Sequence, residues 1–194
     1  MPTTPIILAS SSPFRRELLN KLQLEHQCIS PNIDETPLPN EKPAEISLRL
    51  SIEKAKAVAE NINEGLIIAS DQVAEVDGNA LGKPKTRENA IKQLLSMSDK
   101  TVTFHTGLCL FNAESLEYQS CIEPFHVVFR NLTEEQVSNY VDKEDVLNCA
   151  GSFKSEALGI ALFEKLIGED PNSLIGLPLI KLVKMLEQEK TYIL

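Results

Sequence analysis

The segment IILASSSPFRRELL (residues 6–19) joins a short apolar run to three serines, a proline and the beginning of a leucine-containing helical pattern. The run 6–10 predicts a buried strand, and Ser12 as N-cap with Pro13 at the first helical position predicts a helix start. A helix that begins directly after a strand and a loop of small residues leaves backbone N–H groups free for an anion. The segment therefore predicts a strand, a tight loop and a helix with an anion site at its start.

Later segments predict both βα units and hairpins. The stretch LIIAS (residues 66–70) is typical of a strand covered on both faces in a mostly parallel sheet. Asp77-Gly78 predicts a hairpin turn, and Thr133 with Gln136 predicts a helix opened by a capping box. The other expected elements are strands at 26–30, 101–111 and 125–129, and helices at 44–61, at 86–97 with Thr86 as cap, and after Pro178 with Leu179, Leu182, Val183 and Leu186 as its buried stripe.

This mixture predicts an α/β (α+β) fold around one sheet. A length of 194 residues suits a single domain, so we expect residues 1–194 to form one. The composition, 42% hydrophobic and 24% charged, is that of a folded protein and excludes a disordered chain.

The net charge and the apolar runs restrict the partners. A formal charge of −9 argues against a nucleic-acid polymer, because proteins that bind the phosphate backbone usually present a basic face. No apolar run approaches the length of a membrane span, and the first residues lack the features of a signal peptide. We therefore expect a cytoplasmic protein that binds no membrane.

Cysteine and histidine spacing predicts no zinc or redox motif. The cysteines are too far apart for a CxxC pair, so we expect reduced and mostly buried thiols. The histidines lack the partners of a metal site or a catalytic triad. The residues concerned are Cys28, Cys109, Cys121 and Cys149, and His26, His105 and His126.

Arg15 and Arg16 lie in the first turn of the first predicted helix, where the helix dipole disfavours cations. A phosphate bound at that helix start would explain them, because guanidinium groups bind phosphate oxygens through paired hydrogen bonds. Ion pairs with Glu17, Asp34 or Glu35 are the alternative.

Three more charged residues stand at unusual positions. Lys54 falls on the apolar stripe of the helix predicted at 44–61, where it must snorkel or find a carboxylate or phosphate. Asp71 directly follows the apolar strand 66–70, at the strand end where α/β sheets bind ligands, although a turn aspartate would look the same. Lys83 follows the predicted hairpin and could point into the same cleft or into solvent.

An ordered series of segments resembles the Maf family of nucleoside triphosphate pyrophosphatases. The segments are LASSSPFRRELL, NIDE, LRLSIEKAKAV, IIASDQV, GKP, CAGSFKSEALG and NSLIGLPL, which together span residues 8–179. The resemblance implies a Maf/inosine-triphosphatase-like fold, with a central mixed sheet and two lobes around a cleft. It also implies a homodimer and a hydrolase of acid anhydrides that depends on a divalent cation, Mg²⁺ or Mn²⁺.

The resemblance assigns roles residue by residue. Ser10 and Arg15 fall on the family's phosphate-binding positions, and Glu35, Lys54, Asp71 and Lys83 fall on its catalytic positions. Asp71 is the expected proton acceptor. Glu35 and Asp71 are the expected metal ligands, and which carboxylate is base and which is ligand stays open.

Three specificity positions, occupied here by Phe14, Gln72 and Glu156, resemble the subfamily that acts on 7-methyl-GTP. The positive charge of 7-methylguanine favours an aromatic face, and a carboxylate can accept hydrogen bonds from its N1 and N2 edge. The expected reaction yields 7-methyl-GMP and diphosphate and removes modified nucleotides from the pool. Alternatives are a pyrophosphatase for dTTP or UTP, a nucleotide-binding regulator of cell division, and a phosphatase that releases orthophosphate.

Overall fold

The computed structural model describes residues 4–194, which form a mixed seven-stranded sheet with helices packed against it. The strands are β1 (Ile6–Ala9), β2 (Gln27–Ile29), β3 (Leu66–Val76), β4 (Asn79–Leu81), β5 (Thr101–Asn112), β6 (Tyr118–Phe129) and β7 (Phe163–Ile167). The helices are α1 (Pro13–Asn20), α2 (Pro43–Ala59), α3 (Arg87–Met97), α4 (Glu134–Val141), α5 (Pro171–Ile175) and α6 (Leu179–Gln188).

The order of strands across the sheet is β2-β1-β3-β5-β6-β7, and β4 pairs with β3 outside this path. β1 is parallel to β2 and β3, whereas the other pairs are antiparallel. The predicted α/β class with a mixed sheet is therefore confirmed, but four of the six strand pairs are antiparallel, so the mostly parallel sheet expected from residues 66–70 is wrong.

Side-chain caps begin the helices where the sequence predicts them. Ser12 accepts a hydrogen bond from the backbone N–H of Arg15 at 3.4 Å, and Pro13 follows it as the first residue of α1. Thr86 caps α3, and Thr133 forms the expected capping box with Gln136 at the start of α4. These local signals fix the starts of three helices.

The long strands differ most from the prediction. β3 continues to Val76, so Asp71 lies in the middle of a strand and the expectation that it follows a strand end is wrong. β6 begins at Tyr118, seven residues before the predicted start. In α6, Val183 is only half-buried, and Met185 is buried in its place.

Three apolar clusters pack against the sheet, and we group them into a first and a second lobe. The first lobe packs the start of β3 and the end of β5 against β1, α1, α2 and α6. The second lobe packs the opposite ends of the same strands, together with β6, against α3 and α4. Buried polar residues occupy the strand centres between the lobes, namely Ser70, Asp71, Thr106 and Glu123. The two-lobed arrangement expected from the resemblance is thus present.

A glycine in the centre of β5 lets α2 lie very close to the sheet. A Cβ atom on Gly107 would stand 2.2 Å from the carbonyl oxygen of Ser47. Ser47 and Ser51, two fully buried small residues of α2, face this contact. Lys54 lies two turns after Ser47 on the same face, so the close approach brings Lys54 to the polar centre of the sheet.

The four cysteines are free thiols, but the expectation that they are mostly buried is wrong. Only Cys109 is buried, while Cys28 is exposed and Cys121 and Cys149 are intermediate. Burial raises the pKa of the Cys109 thiol to about 12, which makes it a poor nucleophile.

No helix within residues 4–194 combines the length and the apolar character needed to cross a membrane.

Candidate functional site

A cavity of about 860 Å³ lies where the two lobes meet, and all nine predicted site residues line it. They fall into three levels by exposure. Ser10, Lys54 and Asp71 are buried at the floor; Phe14, Arg15 and Gln72 are half-buried on the walls; Glu35, Lys83 and Glu156 are exposed at the rim.

Lys54, at the floor, joins the two candidate metal ligands, Asp71 beside it and Glu35 at the rim. Its ammonium nitrogen lies 2.6 Å from Asp71 Oδ1 and 2.8 Å from Glu35 Oε1. The Lys54 side chain is 6% exposed, so it does not snorkel and its carboxylate partners compensate for the lost hydration. Of the alternatives open for Lys54, the structure thus selects the carboxylate partner.

The surrounding cations keep Glu35 ionised. Burial raises the pKa of Glu35, but the hydrogen bond and charge of Lys54 outweigh this effect, with help from Lys83 and Arg15. The net pKa therefore lies below the ordinary range of a glutamate. Glu35 is consequently available as an anionic oxygen donor at neutral pH.

Arg15 is oriented by a backbone carbonyl. Its Nε donates to the carbonyl oxygen of Gly176 at 2.9 Å, and none of the ion pairs within residues 4–194 includes Arg15. The Ser70 hydroxyl donates to the same carbonyl at 2.8 Å, which connects the centre of β3 to the end of α5. Burial lowers the pKa of Arg15 while the charges of Asp71 and Glu35 raise it, leaving it below its ordinary value. Arginine still remains charged under all physiological conditions.

Ser10 and Lys83 line the cavity from two different loops. The Ser10 hydroxyl oxygen accepts a hydrogen bond from the backbone N–H of Ser12 at 3.1 Å, which shapes the loop before α1. Lys83 lies in the loop between β4 and α3, where it is exposed at the rim. The structure thus favours the cleft-facing position over a remote surface position for Lys83.

Gln72 presents one end of its amide to the cavity. Its Nε2 donates to the carbonyl oxygens of Ser173 at 2.8 Å and Leu174 at 3.0 Å, and lies 3.1 Å from the Thr106 hydroxyl oxygen. Carbonyl oxygens only accept hydrogen bonds, so they fix the NH₂ group toward α5. The Gln72 carbonyl oxygen is the end left to accept a hydrogen bond from a ligand.

The remaining cavity wall combines one aromatic surface with apolar side chains of the second lobe. Phe14 projects from the first turn of α1, and Phe104, Phe153 and Leu174 form the apolar part of the wall. Glu156 is exposed at the rim, and the Ser155 hydroxyl lies 3.3 Å from its carboxylate. An apolar wall with acceptors at its edges suits a flat heterocyclic base.

Sequence reasoning missed several contributors to the site. Lys85 and Lys154 also line the cavity, which brings its charged side chains to five cations and three carboxylates. Thr106 supports Gln72, and the signal for it was present, because Thr106 interrupts the apolar alternation of Val102, Phe104, Leu108 and Leu110. The carbonyl of Gly176 leaves no side-chain signal at all.

The two carboxylates at Lys54 fit a hard divalent cation whose remaining ligands come from the substrate and water. Within residues 4–194 no group of three or more histidine, cysteine, aspartate or glutamate side chains could hold a metal. Mg²⁺, however, is commonly held by one or two carboxylates together with substrate phosphates and water. Asp71 and Glu35 converge on one ammonium group and supply such a pair of oxygen ligands.

Comparison with known proteins identifies the family. The family model described as "Maf-like protein" matches residues 5–189. The 7-methyl-GTP pyrophosphatase of Pseudoalteromonas translucida (strain TAC 125) is 55% identical over 184 residues, which cover 95% of this chain and 91% of that protein. The 7-methyl-GTP pyrophosphatase of Vibrio vulnificus (strain CMCP6) is 51% identical over 194 residues and the full length of both proteins.

Among solved structures, one described as the Staphylococcus aureus Ham1 protein superposes with a TM-score of 0.47 at 18% identity. That superposition covers 66% of this chain and 72% of the other. The match to the family model and the two relatives, each matched over at least 91% of its length, are sufficient by themselves: this chain belongs to the Maf-like protein family.

Proposed function

We propose that this protein is a nucleoside triphosphate pyrophosphatase that hydrolyses 7-methyl-GTP to 7-methyl-GMP and diphosphate. The observation that carries the proposal is the convergence of Asp71 and Glu35 on Lys54 at the floor of a cavity with an excess of cations. The names of the two relatives support the substrate. The reaction would remove a modified nucleotide from the pool.

Asp71 is the proposed proton acceptor. Lys54 contacts Asp71 Oδ1, and within residues 4–194 no hydrogen bond engages Oδ2, so that oxygen is open to a water molecule. The water would give a proton to Asp71 as its oxygen bonds to the α-phosphorus. The bond from that phosphorus to the α,β-bridging oxygen then breaks, and diphosphate leaves with the electron pair.

Cations at the floor and rim would stabilise the charge that develops on the phosphates. Arg15, Lys54 and Lys83 are the proposed contributors, with Ser10 as a further phosphate contact. Preorganised charge of this kind is usually the largest catalytic contribution. Phosphoryl transfer depends mainly on positioning and electrostatics, so no serine or cysteine nucleophile is required.

A divalent metal, Mg²⁺ or Mn²⁺, is the proposed cofactor, with Asp71 and Glu35 as its protein ligands. When bound, it would neutralise phosphate charge and lower the pKa of water at the site. The protein's own part is to hold the two carboxylates together through Lys54 before substrate arrives.

Phe14, Gln72 and Glu156 are the proposed specificity residues. The Phe14 ring would bind the cationic methylated base, and Glu156 would accept hydrogen bonds from its N1 and N2 groups. Gln72 offers an acceptor that α5 holds in one orientation.

A substrate panel tests the proposal. Wild type and Glu156→Gln are incubated with Mg²⁺ and with 7-methyl-GTP, GTP, dTTP or UTP, and diphosphate and orthophosphate are measured separately. We expect diphosphate release from 7-methyl-GTP to be fastest in wild type and this preference to fall in Glu156→Gln. Equal rates on all four nucleotides would contradict the base assignment, and orthophosphate release would contradict the reaction.

The same panel separates the enzyme from a nucleotide-binding regulator. Tight nucleotide binding without any product would favour the regulator. We also propose a cytoplasmic homodimer of single-domain subunits, and light scattering of the purified protein tests the dimer.

A further inference from the structure

One glutamine outside the cavity connects two segments of its wall. Gln93, on α3, donates from Nε2 to the carbonyl oxygen of Gly82 at 3.0 Å. Its Oε1 accepts a hydrogen bond from the Ser152 hydroxyl at 2.5 Å. Gly82 belongs to the loop that carries Lys83, and Ser152 belongs to the segment that leads to Glu156.

The amide of Gln93 can satisfy both contacts in only one orientation. The Gly82 carbonyl can only accept, so it requires the NH₂ group, and the amide oxygen then faces the Ser152 hydroxyl. Each end of the side chain therefore holds a different wall segment. A shorter or apolar side chain could not make both contacts.

The Ser152 segment needs such support because its backbone is unusual. Ser152 is fully buried, and its φ of 62° lies in the left-handed region that non-glycine residues rarely adopt. Gly151 before it also has a positive φ, of 73°, and a Cβ atom there would stand 3.1 Å from the Phe104 ring. A conformation of this kind persists only where surrounding contacts hold it.

The loop that carries Lys83 is also held by α3 and by the segment that leads to Ser152. The Asn89 side chain of α3 donates to the Pro84 carbonyl oxygen at 3.1 Å. The backbone N–H of Lys85 donates to the Leu147 carbonyl oxygen at 3.1 Å. α3 and the segment 147–152 thus enclose the loop, and the Gln93 side chain, on α3, contacts both the loop and that segment.

We propose that Gln93 is a positioning residue that sets Lys83 and Glu156 relative to each other at the rim of the cavity. The inference rests on the proposed function, in which Lys83 acts on the phosphates and Glu156 on the base. Through Gln93, the segment that selects the base is coupled to the loop that binds the phosphates. Small displacements of such groups reduce the rate strongly.

Two substitutions separate the two contacts of Gln93. Gln93→Ala removes both. Gln93→Glu keeps an acceptor for Ser152 but sets a negatively charged oxygen against the Gly82 carbonyl. Lys92→Ala, an exposed neighbour on the same helix, is the matched control.

Hydrogen exchange followed by mass spectrometry tests, without any substrate, whether Gln93 holds both segments. In Gln93→Ala we expect faster exchange in both 80–86 and 147–153, and in Gln93→Glu only in 80–86, with Lys92→Ala unchanged. Exchange at wild-type rates in both segments of Gln93→Ala would overturn the proposal.

Kinetics provide the functional part of the test. In Gln93→Ala we expect kcat/KM for 7-methyl-GTP to fall about ten-fold and the preference over GTP to shrink. In Gln93→Glu we expect kcat to fall while that preference is kept. A change in melting temperature with unaltered kcat, KM and preference would assign Gln93 a purely structural role and overturn the proposal. If wild type does not hydrolyse 7-methyl-GTP, the proposed function fails, while the exchange experiment still decides whether Gln93 holds both segments.

Discussion

At the scale of single residues, the site depends on charges that the fold forces together. The Lys54 ammonium nitrogen lies within 2.8 Å of a carboxylate oxygen of Asp71 and of one of Glu35, although the three residues are far apart in the chain. A buried lysine with only one partner is usually a liability, because breaking a buried pair leaves an uncompensated charge. Two carboxylates give Lys54 a remaining partner when either one is altered, which makes single substitutions informative.

Asp71→Asn tests the proposed base without a change in shape. Lys54 keeps Glu35 as a partner, so we expect a folded protein whose diphosphate release is slower by a factor on the order of 10²–10⁴. The measurement is single-turnover hydrolysis of 7-methyl-GTP. Glu75→Gln, a carboxylate on the same strand that pairs with His105 at 2.7 Å, is the control and should stay close to wild type. A rate for Asp71→Asn close to that of the control would remove Asp71 from its role.

Glu35 predicts a specific dependence of stability on pH. Its pKa is lowered in the folded protein, so its contribution is complete above the unfolded pKa of about 4.3 and is lost as pH falls through the folded value. We therefore expect the difference in free energy of unfolding between wild type and Glu35→Gln to shrink as pH falls below about 4.3. Urea unfolding at a series of pH values measures this difference. The exposed Glu64→Gln is the reference, and a constant difference for Glu35→Gln would refute the expectation.

The sequence showed which residues occupy unusual positions, but it did not show which residues they contact. The anomalous positions of Lys54 and Asp71 showed that each needed a partner, because a charge on an apolar stripe or after an apolar strand is costly. That each is the other's partner depends on α2 crossing β3, which no local pattern encodes. The Gly176 carbonyl that orients Arg15 could not be predicted, since every residue carries the same backbone acceptor.

At the scale of elements, the helices were easier to predict than the strands. Caps such as Ser12 and Thr86 act within one turn, so the sequence around them is sufficient. β3 was predicted too short because polarity at Ser70 and Asp71 resembles a strand end. The polarity instead marks the place where one strand leaves the first lobe and enters the second, which is a property of the tertiary structure.

Gly107→Ala tests whether the approach of α2 to the sheet sets the site. The new methyl group would stand 2.2 Å from the Ser47 carbonyl oxygen, so α2 must move. We expect a loss of about 1–3 kcal/mol in the free energy of unfolding, together with reduced activity from displacement of Lys54. Denaturant unfolding and diphosphate release measure the two effects. Gly82→Ala, where no atom lies within 4 Å of the new carbon and φ is not positive, is the control for the unfolding measurement. Wild-type stability in Gly107→Ala would contradict the packing argument.

At the scale of the whole molecule, the chain has a net charge of −9, whereas the side chains that line the cavity have an excess of positive charge. The cavity has five cationic and three acidic side chains, although the chain as a whole carries 28 acids against 19 lysines and arginines. A small polyphosphate can fit inside this local field, whereas a long nucleic acid would also meet the acidic surface. Net charge therefore limits the size of the partner, and the placement of a few cations determines its chemistry.

The continuity of the long strands predicts that the two lobes unfold together. β3, β5 and β6 each contribute to the apolar clusters of both lobes, so unfolding one lobe would break hydrogen-bonded strands shared with the other. We expect a single transition in urea, with one midpoint for hydrogen exchange in peptides covering 102–104 and 108–111, which lie at opposite ends of β5. A slowly hydrolysed nucleotide should raise both midpoints equally. A ligand that binds only the folded protein stabilises the whole cooperative unit, and here that unit includes both lobes. Two separate midpoints, or a ligand shift confined to one end of β5, would mean that the lobes are independent folding units, and the chain would then hold two domains.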